Sequence, residues 1–136
     1  MDIRRYQHDH GEIATQIDAL RALSRAGVAE NADEISSRIV AFASRVKFHL
    51  VAEDQVLYPA LARAGDPDVA AMSAHYQQEM QGLADVFAGF VSQWRVPSRV
   101  KADPEGFRAS ANTVLRALFE RLQRENRELY PAAERI

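Results

Sequence analysis

Two octapeptides in this chain share one ending: Glu53-Asp54-Gln55-Val56-Leu57-Tyr58-Pro59-Ala60 and Glu125-Asn126-Arg127-Glu128-Leu129-Tyr130-Pro131-Ala132. Each opens on a carboxylate. Four residues upstream of the first stands His49, and four upstream of the second stands Arg121. On a helix this spacing puts both side chains on one side, one turn apart, so a single segment can aim an imidazole nitrogen and a carboxylate oxygen at one cation. His10 and His75, with Glu79 one turn further on, extend the candidate ligand set to His10, His49, Glu53, His75, Glu79 and Glu125. These donors are nitrogen and oxygen only, a mixture that suits iron or manganese, with zinc possible. Cysteine is absent, so thiolate sites, disulfides and cysteine nucleophiles are excluded.

The elements that must position these groups read as four long helices. The first spans roughly Ile3 to Ser24, ahead of a loop at Gly27. Asn31, with Glu34 three residues on, predicts a capping box opening the second helix, which runs to about Arg63 with a kink expected at Pro59. Asp66-Pro67 and Asp103-Pro104 are cap-plus-proline starts for the third helix, to Trp94, and the fourth, to about Glu128, with Pro131 ending it. No segment alternates with period two, so the expected class is all-α, an antiparallel up-down-up-down four-helix bundle in one domain over residues 1–136.

Inward stripes follow from spacings of three and four. They are Ile3, Tyr6, His10, Ile13, Ile17 and Leu20; Ile35, Ile39, Phe42, Val46, His49, Glu53, Val56 and Ala60; Met72, His75, Glu79, Leu83, Val86 and Phe90; and Phe107, Ala111, Val114, Leu118, Arg121 and Glu125. Ionisable residues interrupt every apolar stripe, and burying each without compensation costs on the order of several kcal/mol. In an antiparallel bundle they also fall at one depth, roughly 12–15 Å from the same end at 1.5 Å per residue. Common face and common depth point to one polar layer neutralised by a cation. No Glu-x-x-His tetrad occurs, which disfavours a ferritin-type di-iron site.

With His10, His49-x-x-x-Glu53 before Leu57-Tyr58-Pro59, His75, and Glu125 before Leu129-Tyr130-Pro131, the chain resembles the hemerythrin-like proteins of the HHE cation-binding family. The resemblance covers nearly the whole length. It implies a helical bundle holding a non-haem, usually di-iron, centre that binds or senses dioxygen, nitric oxide or iron. It also implies that His10 and His49 serve one metal while Glu53 and Glu125 bridge to a second. Arg121 stands where the family has a fourth-helix histidine, and a guanidinium offers no lone pair. Glu79 and Arg121 therefore read as a paired replacement, a buried ion pair beside or in place of the second metal, leaving a mononuclear or degraded dinuclear site.

Two other readings stay open. One is a mononuclear iron enzyme that activates dioxygen or peroxide. The other is a metal-free helical interaction or stress module with a buried Glu/Arg/His network. No dedicated catalytic motif is present, so a binding or sensing protein is the leading expectation. A net charge of −2 gives no basic face for nucleic acid. No apolar run is long enough to span a membrane, and none at the N-terminus resembles a signal peptide, so a soluble cytoplasmic protein is expected. His8 reads as a solvent-facing histidine, Asp54 and Asn126 as solvated or supporting groups, and Tyr58 and Tyr130 as packing and hydrogen-bonding residues at the helix ends. The oligomeric state is not legible.

Overall fold

The computed structural model describes residues 1–136 as four main helices packed in a bundle, with no strands. Helix α1 is Arg4–Ala26, α2 Ala32–Ala52, α3 Tyr58–Ala62, α4 Pro67–Trp94, α5 Pro97–Ala102, α6 Pro104–Arg124 and α7 Tyr130–Glu134. Short links force neighbours antiparallel: α1 packs on α2 and α6, and α4 packs on the same two, closing the ring. Asp66 caps α4 by accepting from the N–H groups of Asp68 and Val69, and Asp103 caps α6 through Gly106. Asn31 does not cap α2 as its position predicts. Its amide instead donates to the Gly27 carbonyl at 2.8 Å, bracing the loop. Gly27 and Gly65 both have positive φ, 136° and 81°, where a side chain is disfavoured. The short α5, in the link between α4 and α6, was not expected from the breaker Pro97.

Each long helix bearing the repeat carries one wide turn where a kink or a stop was expected. Glu53–Leu57 and Glu125–Leu129 are π-helical, with the Tyr58 and Tyr130 N–H groups reaching back five residues to the carbonyls of Glu53 and Glu125. The cause lies in the prolines. Pro59 and Pro131 have no N–H, and their rings crowd the carbonyl four residues back, so widening the preceding turn accommodates them. Pro131 therefore does not end its helix, which resumes as α7.

The core falls into two clusters. The larger holds 19 buried residues, among them Ile17, Ile39, Phe42, Phe87, Trp94 and Phe107. The smaller holds 11 at the other end, among them Ile3, Leu57, Leu61, Tyr76 and Tyr130.

Three of the four expected stripes hold in outline; that of α4 does not. The inward residues of α4 are Val69, Ser73, Tyr76, Met80, Phe87, Phe90 and Trp94. The helix is turned by about one residue from the expected register, so Val86 is 54% exposed and His75 points outward. In α2 the wide turn moves Leu57 into the core and leaves Val56 54% exposed.

Candidate metal centre

Side chains from α1, α2 and the turn opened by Glu125 meet in the layer between the two core clusters. His10, His49, Glu53 and Glu125 are each at most 4% exposed, and one ligand atom from each lies within 4.8 Å of all the others. His10 Nε2 is 3.1 Å from His49 Nε2 and 3.0 Å from Glu125 Oε1, and His49 Nε2 is 3.4 Å from Glu53 Oε1.

The far side of each imidazole decides what the near side offers. His49 Nδ1 lies 3.2 Å from Oδ2 of Asp9, a buried carboxylate on α1. A carboxylate only accepts, so Nδ1 carries the proton and Nε2 turns a lone pair inward. His10 Nδ1 donates in the same way to Asn126 Oδ1 at 2.8 Å. With both rings neutral, two lone pairs face each other at hydrogen-bond distance, an arrangement that a proton or a cation relieves. Tyr130, fully buried, donates its hydroxyl to Glu53 Oε2 at 2.8 Å and lies 2.7 Å from His10 Nε2, but it has one proton for two acceptors. Glu53 Oε1 is buried without a hydrogen-bond partner. More acceptors converge here than donors can serve, which is the condition a cation resolves; these residues fit one.

Electrostatics separate the two glutamates. Burial pushes the Glu53 carboxyl up, the neighbouring Glu125 charge adds to this, and the nearby His49 ring and the Tyr130 hydroxyl only partly oppose it. Glu125 meets the same burial, yet His10 and the Arg121 guanidinium bring it below the ordinary carboxylate range. For His49, burial acts against the imidazolium, but Glu53 and Asp9 outweigh it and the net shift is upward. Tyr130 is driven far above the ordinary phenol range, chiefly by burial.

Arg121 completes the layer as a fixed positive charge. Its Nε donates to Glu125 Oε2 at 3.1 Å, and its Nη2 donates to the Tyr76 carbonyl at 2.6 Å and to the Tyr58 hydroxyl at 3.2 Å. The guanidinium carbon also stands 4.6 Å over the Tyr76 ring. It occupies the α6 position equivalent to His49 of α2.

His75 and Glu79 do not join this cluster. The His75 side chain is 66% exposed and pairs with Glu79 on the surface. Glu79 is 36% exposed and bound mainly by Arg124, at 3.0 Å, with Arg121 no nearer than 3.9 Å. The expected inward pair of Glu79 and Arg121 is therefore replaced by Glu125 and Arg121, because α4 turns Tyr76, rather than His75, toward α6. Sequence reasoning missed Asp9, and it gave Tyr130 a packing and hydrogen-bonding role without placing it at the cluster. The signal for Tyr130 was the repeat itself, while Asp9 sits about 100° round the helix from His10 and left no trace in the stripe. His8 is exposed, as expected.

The sequence matches the hemerythrin HHE cation binding domain over residues 1–133. No curated protein and no solved structure matches it. From the bundle, the buried cluster and this match along almost its full length, the chain belongs to the hemerythrin HHE cation-binding family.

Proposed function

We propose that His10, His49, Glu53 and Glu125 hold one metal ion, iron in preference to manganese or zinc, in a protein that binds or senses dioxygen, nitric oxide or iron rather than turning over a substrate. The observation that carries this reading is the pair of inward Nε2 lone pairs 3.1 Å apart beside the unpartnered Glu53 Oε1. A two-nitrogen, two-carboxylate set suits iron, whose role when bound is to engage a diatomic ligand at an open position. Arg121 supports a single ion. It supplies in guanidinium form the positive charge that a second metal would bring to Glu125, and α4 presents Tyr76 rather than an imidazole to that side. Asp9 and Asn126 orient the two histidines, and Tyr130 holds a proton at the Glu53 edge. A cleft of about 320 Å³ between α1 and α6, lined by Gln7, His10, Gly11 and Asn126 among others, gives small molecules a route to the His10 side.

Elemental analysis of untagged protein purified without chelators tests the assignment. Near one iron or manganese per chain is expected for the native protein and for His8→Ala, with a severe loss for His49→Ala. Equal metal in the two variants would defeat it. Binding and sensing separate from oxygen activation by turnover: a sensor changes its spectrum stoichiometrically with dioxygen or nitric oxide and does not consume it catalytically.

A further inference from the structure

One groove lies away from the polar cluster. It encloses about 470 Å³ along the outer side of α2 and α4, with a mainly apolar lining that includes Leu50, Val51, Ala88 and Val91. Val51 is 42% exposed at the edge of this apolar lining. Three charged residues also line it: Arg95 just past the end of α4, and Lys47 and Asp54, two helical turns apart on one side of the second helix with Val51 between them. Lys47 and Asp54 are both exposed, and neither belongs to any ion pair of the chain. Asp54 accepts only a long bond from Gln77 at 3.5 Å.

Opposite charges set on either side of an apolar midpoint have a specific symmetry. A two-fold axis in the plane of the groove, crossing α2 near Val51, lays α2 antiparallel on its own copy. Lys47 of each copy then faces Asp54 of the other, and Val51 meets Val51 at the centre. Small residues such as Ala88 on α4 leave room for that approach, and a net charge of only −2 does not oppose it. We propose that the α2/α4 groove is the interface of an isologous dimer, a second copy of this chain being the partner it fits.

Sedimentation velocity and light scattering on the native protein over a concentration series test the proposal. A species of twice the 15.2 kDa chain mass is expected, lost in Val51→Arg and in Ala88→Arg, both exposed positions whose folding is checked by circular dichroism. Lys47→Asp and Asp54→Lys should each raise the dimer dissociation constant about tenfold or more, and the double variant should return it to within about threefold. A chain that stays monomeric at every concentration overturns the proposal. So does a dimer that both arginine variants leave intact, and so do charge reversals that fail to compensate.

Discussion

His10 and His49 are ordinary imidazoles made unusual by what stands behind them. Asp9 and Asn126 hold their outer nitrogens protonated, so the inner ones have no choice but to accept. A protein deprived of metal must meet that demand with protons, and the upward shifts of Glu53 and His49 describe this. The signs agree. A group whose folded pKa exceeds its unfolded value favours the folded state below that value, and this contribution is lost as pH rises through the folded pKa. Glu53 begins to act above its ordinary 4.5 and His49 above 6.5. Glu125 runs the other way, adding stability above 4.5 that is lost as pH falls through its lowered pKa. Chelated protein is therefore expected to be more stable in urea near pH 5.5 than near pH 8.5, and Glu53→Gln to flatten that slope. An unchanged slope in the variant would show that Glu53 does not cause it. Metal loading at neutral pH should release protons, measurable in weakly buffered solution with an indicator dye.

At the scale of the helix, α4 decides how many ligands the centre receives. With Tyr76 inward, fully buried against Arg121 and hydrogen-bonded to Glu128, Tyr76→Ala is expected to cost about 3–5 kcal/mol in a denaturant titration. His75→Ala should change stability by less than about 0.5 kcal/mol and leave metal content alone. The reverse order would restore the register expected from sequence. That register failed for an identifiable reason. Two stripes of spacing three and four run down α4, and choosing the one through His75 and Glu79 let charge outweigh size, although Tyr76 and Trp94 fit only the other. On α1, α2 and α6 the ionisable residues interrupt unbroken apolar stripes, so His10, His49, Glu53, Arg121 and Glu125 were legible as inward. The two wide turns were not. A proline late in a helix announces a disturbance but not its form, and the choice of a π-turn over a kink depends on keeping Leu57 and Leu129 in the core.

At the scale of the whole molecule, the polar layer divides two apolar cores of unequal size, one of 19 buried residues and one of 11. A belt of imidazoles and carboxylates separates the two clusters, so without metal the smaller end is held to the larger mainly by backbone continuity and the Arg121 and Tyr130 hydrogen bonds. Native-state hydrogen exchange on chelated protein should therefore show amides around Leu61, Tyr76 and Tyr130 opening at lower free energy than those around Ile39 and Phe107, with the gap narrowing when metal is restored. Uniform protection in the chelated state would contradict this. An ion held in the belt would act as a rivet across a seam. The end around Leu61 and Tyr130 would then be the part of the molecule whose fraying reports whether the rivet is in place.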